Sequence, residues 1–85
     1  MQYILAVFRS RSQTLDFISR LRKYGIYACA VSTPREANVG CGISARINAP
    51  DLEKAKRLVY VSPNMSFVGF FRVENRYGKI FVKPI

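Results

Sequence analysis

Residues 2–8, Gln-Tyr-Ile-Leu-Ala-Val-Phe, are apolar at both alternating sets of positions. In a strand, Tyr3, Leu5 and Val7 fall on one face and Ile4, Ala6 and Phe8 on the other. A strand that is apolar on both faces belongs in the middle of its sheet. The chain has 85 residues to cover it, and a chain of this size buries only about 60–65% of the surface its unfolded form exposes. Hydrophobic content of 49% with 22% charged residues is that of a globular protein. With no Trp, five Tyr and six Phe supply the bulk of the packing.

The patterns that follow alternate between helix and strand. Ser10 with Gln13 reads as a capping box. Leu15, Ile18 and Leu21 recur at three-residue spacing, with Phe17 and Tyr24 beside them. Arg20, Arg22 and Lys23 suit the negative end of a helix dipole, and Gly25 is a natural stop. The pattern predicts a helix of about four turns. Ile26 to Ser32 reads as a second strand and Ile43 to Asn48 as a third, the latter with Ser44, Arg46 and Asn48 on a polar face. Pro50, Asp51 and Glu53 suit a helix start, and Leu52, Ala55, Leu58 and Val59 form its apolar stripe. Lys54, Lys56 and Arg57 face water, and the tract stops at Ser62-Pro63-Asn64. Ser66 to Val73 reads as a fourth strand, Glu74 to Gly78 as a turn, and Lys79 to Lys83 as a fifth strand. The order predicts an α+β protein: a single ferredoxin-like βαββαβ sandwich over residues 1–85 with an extra C-terminal strand. Both helices are expected on one sheet face. The open face is expected to hold Ile4, Ala6 and Phe8, or their alternates, and to pair with another chain, most simply as a homodimer.

Composition removes several functions. There is no His, no CxxC, and only two Cys. A zinc site wants about four such ligands, so no metal site is expected within one chain. The usual general base and the usual partner of a catalytic Cys are missing. Two Asp and three Glu are scattered, without the pairing that hydrolysis by carboxylates needs. No cofactor is implied. The net charge of +9 favours anionic partners, yet the basic residues are spread along the chain without a block of five or six. Solubility and steering therefore outrank a nucleic-acid site. The third strand also carries no aromatic of the kind an RNA-binding sheet displays. No apolar run approaches the ~18–20 residues that cross a bilayer. The first residues lack a basic region and a cleavage site, so a cytoplasmic location with both thiols reduced is expected.

The connection Thr33 to Gly42 spends more residues than the two to five of a plain hairpin. It carries Pro34, the Arg35-Glu36 pair, and Cys41 between Gly40 and Gly42. Long loops with reactive groups are where small rigid domains keep their function. Flanking glycines leave a thiol uncovered and let the backbone take positive φ. The Arg35 guanidinium, six residues from Cys41, would favour the thiolate; it could equally pair with Glu36. Thr33 would cap a turn or bind an oxyanion, and Pro34 would fix the loop's entry. Cys29, alternating with Tyr27 and Val31, is expected in the core. A plain hairpin tip with an incidental cysteine is the competing reading.

Several segments resemble the selenium/sulfur carrier-like family of small prokaryotic proteins. They are the strand Tyr3-Ile4-Leu5-Ala6-Val7-Phe8 before a Ser-rich helix start, Gly25-Ile26, Thr33-Pro34-Arg35-Glu36 followed by Cys41-Gly42, and Gly69-Phe70-Phe71-Arg72. The resemblance spans roughly residues 1 to 74, with residues 75–85 as a tail beyond it. The spacer Ala37-Asn38-Val39-Gly40 lacks the family's Ser-rich character. The resemblance implies a carrier rather than an enzyme. Cys41 would hold a persulfide or selenide received from a donor protein and relayed to an acceptor protein. The alternative is a basic module whose Thr33-to-Gly42 loop binds a phosphate-bearing ligand or nucleic acid, with Cys41-Gly42 only shaping the turn.

Overall fold

The computed structural model describes residues 2–37, 40–61 and 66–85. The helix stop expected at Ser62-Pro63-Asn64, and Asn38-Val39 of the loop, lie outside the described residues. The elements are β1 (Gln2–Phe8), α1 (Arg11–Lys23), β2 (Ala28–Ser32), β3 (Ile43–Ile47), a 3-10 turn at Ala49–Asp51 leading into α2 (Leu52–Tyr60), β4 (Phe67–Arg76) and β5 (Lys79–Pro84). The protein is α+β, with one antiparallel sheet in the order β2-β3-β1-β4-β5. β1 lies at the centre, as its two apolar faces require. The sheet has five strands, β5 adding an edge beyond β4, so it departs from a simple ferredoxin-like arrangement.

Local chemistry sets the boundaries. Ser10 caps α1, its hydroxyl accepting from the Gln13 N–H at 3.2 Å. At the other end Gly25, at φ +76°, lets the chain reverse, with Gly25 N–H donating to Arg22 O and Ile26 N–H to Leu21 O, each at 3.0 Å. This is a Schellman closure. It uses up Ile26, so β2 starts at Ala28 and not at Ile26. The expected turn over 74–78 shrinks to Tyr77-Gly78, whose positive φ values of 52° and 77° match a two-residue hairpin turn. β4 consequently runs through its polar end to Arg76.

The core sits between the sheet and the helices. Ile4, Ala6 and Phe8 pack against Phe17, Ile18 and Leu21 of α1 and Leu52, Ala55 and Val59 of α2. Of the two sets named for the open face, Ile4, Ala6 and Phe8 are therefore the covered one. Its alternates, Leu5 and Val7, lie on the helix-free side with Val73. Those three are fully buried, shielded by half-buried Tyr3, Val31, Val68, Phe71 and Val82, with the Arg46 guanidinium 4.1 Å from the Tyr3 ring centroid. The inward stripe of α1 is Thr14, Phe17, Ile18 and Leu21; Leu15 and Tyr24 are exposed. Positions i, i+3, i+4 and i+7 define that stripe, and it admits a threonine where hydropathy alone favours Leu15.

Phe8 is the hub. Its ring lies 5.1 Å from Phe17 and 5.2 Å from Phe67, centroid to centroid. Phe8→Ala should cost about 3–5 kcal/mol, whereas exposed Leu15→Ala should stay within about 0.5 kcal/mol. Chemical denaturation of both variants checks the ranking, and equal losses would contradict this placement of the core.

Candidate functional site

The loop is pinched at its base. The Thr33 N–H donates to Gly42 O at 2.9 Å, and the Thr33 and Ser44 hydroxyls lie 2.5 Å apart. That hydrogen bond satisfies Ser44, which is fully buried on the helix-free face. Thr33 is thus committed to bracing the loop. Pro34 O accepts from the Ala37 N–H at 3.1 Å, closing a turn that leaves Arg35 and Glu36 exposed at its tip and Ala37 buried.

The chain then folds back against the end of β1. Gly40 has φ +86°, and a Cβ there would stand 2.6 Å from Val7 Cγ1 and 2.8 Å from Phe8 O. Both the conformation and the contact demand glycine. Gly42, at φ +95°, faces open space, so only its conformation demands it. Between them the Cys41 N–H donates to Phe8 O at 3.1 Å. The glycines therefore let the cysteine turn inward; they do not leave it uncovered.

Cys41 is half-buried. Its Sγ lies 3.6 Å from the Thr14 hydroxyl and 3.6 Å from the carbonyl oxygen of Ile43. Among the described residues, Arg35 is not a polar partner of Sγ. Thr14 belongs to the first turns of α1, so the sulfur lies near the positive end of that helix dipole. The Thr14 hydroxyl reaches Ser10 O at 3.0 Å. Donated there, it presents lone pairs to the thiol; turned, it can donate to an anionic sulfur. The Ile43 carbonyl opposes a negative charge and accepts from the neutral S–H.

Ser66 ties the helix start to the entry of β4. The Gln13 side-chain oxygen does not close the expected capping box; it accepts from the Ser66 N–H and hydroxyl at 2.5 and 2.6 Å. The Ser10 N–H donates to Ser66 Oγ at 3.0 Å. Thr14 and Ser66 were not legible as site residues. A threonine on the apolar stripe of a helix was the available signal for Thr14; Ser66 has none in sequence.

Cys29 is half-buried too, not a core residue. It pairs with Arg46, which pairs with Leu5, so it lies on the helix-free face. The two cysteines differ in surroundings more than in burial class. Among the described residues no group of three or more Cys, Asp or Glu gathers where it could hold a metal ion, and no helix is long and apolar enough to cross a membrane.

Residues 3–64 match the family described as "Putative Se/S carrier protein-like". The chain belongs to this family. The matched span of the Se/S carrier-like family runs from β1 past α2 and contains the whole Thr33-to-Gly42 loop. It stops before β4, so Gly69-Phe70-Phe71-Arg72, expected to carry part of the resemblance, falls outside it. No curated protein and no solved structure matches the chain.

Alanine at either glycine tests the loop geometry. Gly42→Ala should cost roughly 1–2 kcal/mol for a left-handed residue. Gly40→Ala should cost more, because Val7 and the Phe8 backbone must also shift. Denaturation midpoints in the reverse order would contradict the close approach to β1.

Proposed function

We propose that this Se/S carrier-like protein carries sulfur or selenium on Cys41. The observation that supports the reading is the Gly40-Cys41-Gly42 turn folded onto the end of β1, with its sulfur beside Thr14 at the start of α1 and inside the family-matched span. In loading, the Cys41 thiolate attacks the outer sulfur of a donor persulfide. An Sγ–S bond forms, the donor's S–S bond breaks, and the electron pair leaves with the donor sulfur as a thiolate. The terminal sulfur keeps its proton, and no net oxidation occurs. Delivery repeats the displacement on the outer atom, now with an acceptor nucleophile. The displacement needs no general base. The role is that of a carrier serving a donor and an acceptor protein, not that of an enzyme.

The remaining loop residues fit supporting parts. Thr33 and Pro34 shape the base and the turn, and Gly40 and Gly42 supply the backbone. Arg35 and Glu36, exposed at the tip, are placed to meet a partner protein more readily than the sulfur. Among the described residues the loop's polar groups do not converge on a phosphate-sized point: the Thr33 hydroxyl is engaged by Ser44 and Arg35 stands at the tip of the turn. A phosphate-binding loop therefore has less support. A reducing, cytoplasmic setting suits a free carrier thiol. We read the architecture as a ferredoxin-like sandwich extended by β5. The helix-free face, with Tyr3, Val31, Val68, Phe71 and Val82, is the surface through which a second copy would pair.

Two experiments test these readings. Intact mass after incubation with a persulfide donor should show one added sulfur on the wild type and on Cys29→Ser, and none on Cys41→Ser. Loading of Cys41→Ser would end the carrier reading. Sedimentation at micromolar concentration should give a dimer that Phe71→Lys converts to a monomer; a monomeric wild type would remove the dimer but leave the carrier.

A further inference from the structure

The β4–β5 hairpin lies outside the family-matched span and carries an arrangement that Cys41 chemistry does not use. Its register sets Arg72 opposite Lys83, Glu74 opposite Phe81, and Arg76 opposite Lys79. All six alternate onto one face. Arg72 pairs with Ile4, which makes this the helix side, but beyond Phe70, the last β4 residue in the helix-side core. Like charges directly opposite across an antiparallel pair are destabilising. Two of the three rows are cation on cation.

The carboxylate present does not relieve both rows. Glu74 is taken by Arg76, whose Nε donates to its Oε2 at 2.7 Å and whose Nη2 lies 2.6 Å from the same oxygen as an ion pair. Arg72 donates only to the neutral Gln2 side chain, at 3.1 Å. Lys83 has no hydrogen-bond or ion-pair partner among the described residues. Arg72, Glu74, Arg76, Phe81 and Lys83 line a cleft of about 220 Å³, net positive by two. Phe81 is 45% exposed at its wall.

The geometry points to a site for a small phosphate ester that carries a planar ring, of the mononucleotide type. The phosphate lies between Arg72 and Lys83, where two cations lack a counter-charge and a guanidinium fork matches phosphate oxygens. The ring lies on Phe81, the aromatic surface beside them. The cleft is smaller than the ~300–1,000 Å³ that encloses a drug-sized ligand, so it holds the phosphate and one edge of the ring and leaves the rest in solvent. The site is at the opposite end of β1 from Cys41. Glu74 pairs with Gln2, whereas the Cys41 N–H reaches Phe8, roughly 20 Å along the strand.

Calorimetric titration at low salt with inorganic phosphate, adenosine monophosphate and an oligouridylate tests the assignment. Adenosine monophosphate should bind more tightly than phosphate. Lys83→Gln and Arg72→Gln should each weaken both about tenfold or more, as expected for losing a charge-assisted hydrogen bond. Phe81→Ala should erase the preference for the nucleotide and leave phosphate binding unchanged. Without ligand, Lys83→Gln should melt no lower than the wild type, since it removes a repulsion, and added phosphate should raise the wild-type melting temperature more than that of Lys83→Gln. Cys41→Ser should bind as the wild type does. Unchanged affinity in Lys83→Gln, or a nucleotide preference that survives Phe81→Ala, overturns the proposal. An oligouridylate bound far more tightly than the mononucleotide overturns it too, in favour of a nucleic-acid strip.

Discussion

The backbone carbonyl of Phe8 joins the core to the loop. The ring of Phe8 is clasped by Phe17 and Phe67, which fixes the end of β1 in the middle of the core. Its carbonyl oxygen then accepts from the Cys41 N–H. The pairing of β1 with β4 shifts register between Val7 and Phe8, an irregularity that re-aims backbone groups at a strand end. The buried end of β1 thereby positions the Gly40-to-Gly42 turn. A ten-residue connection hung from solvent-exposed strand ends would have no such anchor.

That anchoring also explains the residue types in the loop. Glycine at position 40 is set by Val7 and Phe8, not by the chemistry of its neighbour. The buried hydroxyl of Ser44 is met by Thr33, so the loop base costs no unsatisfied polar group. Thr14 likewise bonds Ser10 O and sits against the sulfur. The polar residues nearest Cys41 are structural partners first, and the sulfur inherits their geometry.

What the sequence reveals and conceals has a common origin. Alternation, the Ser10 cap and the Gly25 stop are local signals, and they locate β1, α1 and β3 within a residue or two. Which face of β1 the helices cover is not a local property. Ile4, Ala6 and Phe8 are as apolar as Leu5 and Val7, and only the handedness of the whole chain separates them. The polar run Glu74-Asn75-Arg76 reads as a turn because nothing in it is apolar, yet hairpin pairing with β5 holds it extended. Cys29 misleads for a related reason. Its strand is apolar, but β2 lies at the sheet edge and Cys29 lies on the helix-free face, so it stays half-exposed. The inward course of Cys41 follows from two positive-φ glycines, whose flexibility alone reads as exposure.

In the carrier role proposed for Cys41, a half-buried sulfur reconciles two opposed demands. Full exposure would invite oxidation and exchange with any thiol, since access and thiolate character together set reactivity. Full burial would shut out the donor. At Cys41 the neutral thiol has an acceptor in the Ile43 carbonyl, and an anionic sulfur has the Thr14 hydroxyl and the start of α1. The Cys41 N–H bond to Phe8 O holds the Gly40-to-Gly42 turn against the end of β1, and with it the depth of the sulfur.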